Sequence, residues 1–215
     1  MVKKWDVGIK AEGDYALIAL FKSLGGSLFQ HDDGNATAGL LFEGAKNGVA
    51  GSLHASFNGV AGIIVRNSPG VRVFNFSATN NQQSGVWLDH SDDGTIATAS
   101  ASNNEGYGIW LFGSSRNTIT DCNGTTKNGT TGILLGCGTT KCAGHDTSDQ
   151  NRITNSGAPS NLSTGIVIEH KSDNNIVTVT HNDGNPEGDM VDLNNKCGTN
   201  IWYNNTGTGN QSCIR

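Results

Sequence analysis

A glycine followed by three mostly apolar residues returns along this chain with a period of 23. The copies are Gly39-Leu-Leu-Phe42, Gly62-Ile-Ile-Val65, Gly85-Val-Trp-Leu88, Gly108-Ile-Trp-Leu111, Gly132-Ile-Leu-Leu135 and Gly165-Ile-Val-Ile168, with a degraded Asp189-Met-Val-Asp192 after them. The first four glycines are 23 apart, the next follows after 24, and the sixth after 33, one period plus a ten-residue insertion. A fixed period of this length means a repeat architecture. A second apolar beat falls eleven residues after each glycine, at Val73, Ile96, Ile119 and Ile176, and at Ile153 once the insertion is subtracted. Each unit therefore holds two short strands and has no room for a helix.

Composition fits that reading. The 215 residues include 30 Gly and only 3 Pro, and 35% are hydrophobic, which suits short strands, tight turns and a thin core. The strong apolar periodicity argues against disorder, and the length against more than one domain. A net charge of −5 with no basic cluster disfavours a nucleic-acid or anionic-membrane partner. No window approaches the apolar length of a membrane span.

Three regions follow. Residues 1–38 break the pattern and are expected to cap the stack or form a degenerate first coil. There, Asp14 is placed to cap a helix with Leu17, Leu20, Phe21 and Leu24 on one face, ending at Gly25-Gly26. The rival reading makes Ala16-Leu-Ile-Ala19 a further coil, because it stands 23 before Gly39. Residues 39–193 are the coils, with an insertion near 137–150, and 194–215 close the far end. Met1-Val-Lys-Lys4 is followed by Trp5 and Asp6 rather than by a continuous apolar segment with a cleavage site, so the numbered sequence does not read as a secretory precursor. Cysteine usage nevertheless points to a secreted or cell-surface setting. Cys137 is expected to pair locally with Cys142 and Cys197 with Cys213, staples that coreless loops need in an oxidising compartment. Cys122 is left over and, in register with Phe76, Ala99 and Val179, is expected as a buried thiol.

In its repeat the chain resembles the right-handed parallel β-helix proteins, especially those built from the parallel β-helix or NosD-like repeat. The element is Gly-Ile-x-Leu followed by Ser-x-x-Asn-x-Ile, clearest in Gly108-Ile-Trp-Leu-Phe-Gly-Ser-Ser-Arg-Asn-Thr-Ile119. The resemblance covers about 150 residues. It implies an all-β, single-stranded right-handed parallel β-helix of about seven to eight coils. For function it is nearly silent, because such folds carry lyases, polygalacturonases, epimerases, tailspikes and adhesins. The Cys197–Cys213 tail also looks like the C-terminal closure of bacterial secreted members.

Strand alternation says which side chains are available for chemistry. The first and third residues after each glycine are expected inside. The second positions, Leu41, Ile64, Trp87, Trp110, Leu134, Val167 and Val191, then form an outward apolar stripe nearly 30 Å long at about 4.8 Å per coil. Beside it lie Glu43, Arg66, Asp89, Phe112, Gly136, Glu169 and Leu193. Soluble monomers seldom expose such a stripe. Three covers suit it: the insertion folded back, other copies of the chain or the rest of a larger protein, or an extended polysaccharide stacked on Trp87 and Trp110 with Phe112, Glu169 and His170 alongside.

The densest polar cluster is Asp89-His90-Ser91-Asp92-Asp93, with Arg66 one coil earlier. Arg66, Asp89 and His90 would give a polysaccharide lyase its base and its carboxylate-neutralising cation. Asp89 with Asp92 or Asp93 would give a glycosidase its carboxylate pair. The competing expectation is a turn, since Asp and Ser bond their own backbone there. Asn-Thr-Asp, Gly-His-Gly and Arg-Ile-Lys of polygalacturonases are absent, as is the Asp-Pro-His of alginate epimerases. His31-Asp32-Asp33-Gly34-Asn35, His145-Asp146 and His181-Asn182-Asp183 offer ligands for calcium or a transition metal, but without a His-x-x-x-His or Cys-x-x-Cys spacing solvated turns are expected and no cofactor, with Ca2+ the one ion left open. Thr95 and Thr118 share a rank that Arg72, Arg152 and Asn175 interrupt, so an ice-binding array is not expected. The reading is a polysaccharide-associated binding or surface module, with a carbohydrate-active enzyme or a self-assembling structural unit as the alternatives.

Overall fold

The computed structural model describes residues 7–13, 17–18, 30–31, 36–138 and 146–214, with 7, 8, 17, 18, 30 and 31 described in backbone only. Strands β1 (Val7–Ala11), β4 (Ala38–Glu43), β6 (Ala61–Arg66), β8 (Ser84–Asp89), β10 (Tyr107–Phe112), β12 (Thr131–Leu135), β14 (Thr164–Ile168) and β16 (Gly188–Asp192) stack in that order into one parallel sheet. The second sheet runs from β2 (Leu17–Ile18) through β5 (Val49–Ser56), β7 (Arg72–Thr79), β9 (Thr95–Ser100), β11 (Thr118–Thr120), β13 (Arg152–Thr154) and β15 (Ile176–Thr178) to β17 (Ile201–Tyr203). A short β3 (Gln30–His31) also pairs with β5. The chain alternates between the sheets and advances one strand in each per turn, which is a right-handed parallel β-helix.

The interior follows the predicted alternation. Leu40, Ile63, Val86, Ile109, Ile133 and Ile166, with Phe42, Val65, Leu88, Leu111, Leu135 and Ile168, join the second sheet's inward residues in one buried cluster. One expectation slips by a residue. Ile153 pairs with Val177 rather than Ile176. The buried asparagine of that turn advances from Asn151 to Asn175, 24 residues rather than 23, so a fixed count lands one position short. The same slip puts Thr180 inside in place of Val179, which is 43% exposed, and puts Ile176 in the outward Thr95–Thr118 rank in place of Asn175.

The turns are held by buried polar ladders. Asn58 donates its backbone N–H and side-chain amide to Asn81 Oδ1, each at 3.0 Å, and Asn81 does the same to Asn104. The ladder continues through Asn128, Asn161 and Asn185 and ends on the Asp189 carboxylate. A second ladder runs Asn117–Asn151–Asn175–Asn200, and a third Ser68–Ser91–Ser114–Ser148–Ser172. In the first four rungs of the first ladder one carboxamide oxygen thus satisfies two donors of the coil before it, where unpaired groups would be costly.

The ends differ from expectation at one side. Leu17–Ile18 is a strand in register with Val49–Ala50, so a helix does not start there. The pairing also reaches back to β1, with Ile9 opposite Leu40, a spacing of 31 that the 23-residue period could not foresee. The rest of the proposed helix, Leu20–Gly26, lies outside the described residues. At the other end, a turn at Asn195–Cys197 and the Cys197–Cys213 disulfide tie the tail over β16, where Asn210 and Gln211 donate to Asp192. Cys137 is disulfide-bonded; Cys142, its expected partner, lies outside the described residues. Cys122 is a free, buried thiol, as expected, and burial pushes its pKa up to about 12. Among the described residues no helix is long and apolar enough to cross a membrane.

Candidate functional site

Strands β6, β8 and β10 end side by side and place Arg66, Asp89 and Phe112 in one row across three coils. The chain then turns a corner at which Asn67, His90 and Gly113 take left-handed φ values of 46°, 49° and 54°. That corner swings the His90 side chain outward beside Asp89. The Arg66 guanidinium donates to Asp89 Oδ2 at 2.7 Å, and His90 Nδ1 lies 2.8 Å from Asp89 Oδ1. On the far side, His90 Nε2 is 3.6 Å from Asp146, which the chain reaches as it returns from the insertion. The imidazole also meets the Phe112 ring edge-on at 5.1 Å. Arg66, Asp89 and His90, brought together only in expectation by sequence, are thus joined in space, and Asp146 is a partner that sequence reasoning missed because the insertion intervenes.

The roles expected of two groups change. Arg66 bonds Asp89 through Nε and lies over the Trp87 ring at 5.3 Å, so the cation expected to meet a substrate carboxylate is shared with an acid of the chain itself. Asp92 and Asp93 are clasped by Arg116, at 2.9 and 2.7 Å, and this guanidinium holds the Asp93 carboxyl below its usual range. A glycosidase acid needs the opposite shift.

The apolar stripe is outward, as expected, but covered. Leu41, Ile64, Trp110, Leu134 and Val167 are buried in two clusters separate from the interior, with Trp87 and Val191 packed against them. Trp87 and Trp110 stack at 5.1 Å with planes 7° apart. Trp110 also touches Tyr107 and Phe112, and its Nε1 donates to Gly136 O at 2.8 Å, at the root of the insertion. The indole faces expected to receive sugar rings are therefore occupied by each other and by Arg66, because rings on adjacent coils lie across the helix axis and turn their edges outward. Of the three covers considered, the insertion's first residues supply part of one.

Glu169 and His170 do not join the Asp89 corner. Glu169 is buried and accepts from the Gly138 N–H at 2.9 Å, anchoring the insertion. Burial raises its pKa, and burial together with Glu169 raises that of Tyr107. His170 is exposed. Among the described residues no group of His, Cys, Asp or Glu is arranged to hold a metal ion. His181 and Asn182 are engaged with Thr206 and the Ala158 N–H, while His31–Asn35 and His145 lie wholly or largely outside the described side chains.

Two overlapping stretches, residues 5–145 and 38–213, match the family model described as right handed beta helix region. No curated protein matches the chain by sequence. Among solved structures, the periplasmic alginate epimerase AlgG is similar at 15% identity and a TM-score of 0.52, over 65% of this chain and 41% of that one. The A-module of the Azotobacter vinelandii mannuronan C-5 epimerase AlgE4 is similar at 17% identity and a TM-score of 0.61, over 82% and 49%. The chain spans less than half the length of either, and at these identities the likeness is one of fold.

Proposed function

The chain belongs to the right-handed β-helix family, and on that premise we propose that it is an extracellular or cell-envelope module that associates with polysaccharide along the corner of Arg66, Asp89, His90 and Asp146. The observation that carries this reading is the His90 imidazole, with 39% of its side chain open to solvent, held between two carboxylates on a rigid corner. A solenoid presents that corner beside a straight run of coils, which suits an extended polymer. Two similar folds are named for action on alginate and mannuronan, and a covalently closed tail suits an oxidising compartment. The half-buried Trp87 and the buried Trp110 stiffen the surface beside that corner.

A second reading is proton abstraction from a sugar, favoured by the 2.8 Å contact between Asp89 and His90. In it His90 is the base, Asp89 orients the ring, and Arg66 fixes Asp89. The self-assembly alternative loses most of its surface, since the stripe is largely buried within one chain.

The test is a panel of neutral and acidic polysaccharides measured by calorimetry, with unsaturated product followed in parallel. Loss of one hydrogen bond to a charged group, about 1.5 kcal/mol, makes His90→Ala bind about tenfold more weakly. Product that disappears with His90→Ala favours the enzyme. No binding by any polysaccharide defeats the proposal.

A further inference from the structure

The outer face of the second sheet carries a pattern that the Asp89 corner does not use. Of the four described arginines, Arg66 and Arg116 are clasped by aspartates, while Arg72 and Arg152 are exposed and make no ion pair among the described residues. The seven strands from Val49 to Tyr203 contain neither Asp nor Glu. In a chain of net charge −5, these seven strands are therefore free of carboxylates.

Strand register places the two arginines. Arg72 pairs with Thr95, Thr95 with Thr118, and Thr118 with Arg152. The guanidinium-bearing residues thus stand three coils apart in one outward rank, about 14 Å at the strand spacing. The rank beside it runs Phe74, Ala97, Thr120, Thr154. Between the long arginines the floor is short: Thr95, Ala97, Thr118 and Thr120. Phe74 closes one end; it is 45% exposed, and its ring lies back over Gly51, where a Cβ would fall 2.5 Å from it. Arg72 also lines an open cavity of about 360 Å³ with Asn47, Val49 and Gly70. Beyond the strands, Asp121 is taken up by Thr120 and Asn155, and Asp93 by Arg116.

We infer that this face is a second binding surface, for a linear acidic polysaccharide lying parallel to the helix axis. The inference rests on the polysaccharide reading above and adds the class of polymer and a different face. Arg72 and Arg152 each receive an anionic group in the two-pronged manner of guanidinium. Thr95 and Thr118 meet sugar hydroxyls across the floor, and Phe74 takes a ring face. Charge complementarity selects an acidic over a neutral polymer. Two cations spaced over about 14 Å are too sparse for a nucleic acid, whose charges recur about every 1.7 Å along the duplex.

The experiment titrates a polyuronate, a neutral glucan and polyglutamate into the wild-type chain, Arg72→Gln with Arg152→Gln, Arg72→Lys with Arg152→Lys, and His90→Ala. The expected result is polyuronate binding that weakens with salt, falls at least tenfold in the Gln pair, persists in part in the Lys pair, and is absent for the glucan. Circular dichroism confirms the fold of each variant. Polyuronate binding that survives in the Gln pair but is lost in His90→Ala overturns the inference and leaves the polysaccharide reading standing. Polyglutamate bound as tightly as polyuronate overturns the choice of a sugar polymer. No binding by either polysaccharide removes both readings.

Discussion

Trp87 stacks on Trp110 one coil away, ring centroids 5.1 Å apart, yet among the described residues only one of the two indole N–H groups has a partner. Trp110 Nε1 donates to Gly136 O, while Trp87 Nε1 is buried and unpaired. Two tryptophans in the same register and in mutual contact therefore contribute differently to stability.

Trp110→Ala is expected to cost about 3–5 kcal/mol, the range for emptying a buried aromatic site. Trp87→Phe is expected to fall within about 1 kcal/mol of wild type, because the lost area is offset by removal of an unsatisfied donor. Urea unfolding of both variants measures this. A Trp87→Phe loss as large as that of Trp110→Ala would show that the Trp87 indole N–H has a partner in solution.

The asparagine ladder predicts a non-local effect from one substitution. Asn81→Leu removes the oxygen that accepts from the Asn58 N–H and side-chain amide, and the amide that donates to Asn104 Oδ1 and Ala55 O, while the main-chain N–H of position 81 still reaches Asn104 Oδ1. At about 1–3 kcal/mol per orphaned group, a loss of about 2–5 kcal/mol is expected. Hydrogen exchange should report it at Asn58 as well as at position 81; protection unchanged at Asn58 would contradict the ladder.

Asp189 ends that ladder and links it to the tail. Burial alone would raise its pKa, but donors from Thr208 and Asn185 outweigh burial and hold it below the usual carboxylate value. A depressed folded pKa contributes stability that is present above the unfolded pKa and is lost as pH falls through the folded one. Stability is therefore expected to decline below about pH 4, near the unpaired Asp value. In Asp189→Asn that part of the acid dependence should flatten. An acid profile identical to wild type would exclude Asp189 as a contributor.

The cysteines separate by reactivity. Cys122, with its pKa pushed up to about 12 by burial, should resist alkylation in the native state at pH 8 and react once denaturant is added. The Cys197–Cys213 bridge closes a separation of 16 residues, so Cys197→Ser with Cys213→Ser should cost about 3 kcal/mol. Thermal unfolding and mass mapping check the two together.

The 23-residue period by itself determined the stack of parallel strands and which apolar residues face inward, because pairing coil on coil forces equal spacing and pleating forces alternation. The cysteines of the tail were legible for a related reason: a coreless end needs a covalent tie. The asparagine ladder is present in the 23-residue spacing of Asn58, Asn81 and Asn104, but polar residues at turns look alike until burial is known. Three things were decided only by tertiary structure. A single extra residue moved Val177 to the place expected of Ile176, because register is set by hydrogen bonds across the coil rather than by distance along the chain. Asp146 stands beside His90 because its main-chain carbonyl accepts from the Gly113 N–H, one coil along the same corner, a pairing that no repeat spacing announces. The two tryptophans were placed outward correctly, but whether their faces or their edges meet solvent depends on what stacks above and below, and here Arg66 and the rings themselves fill that space.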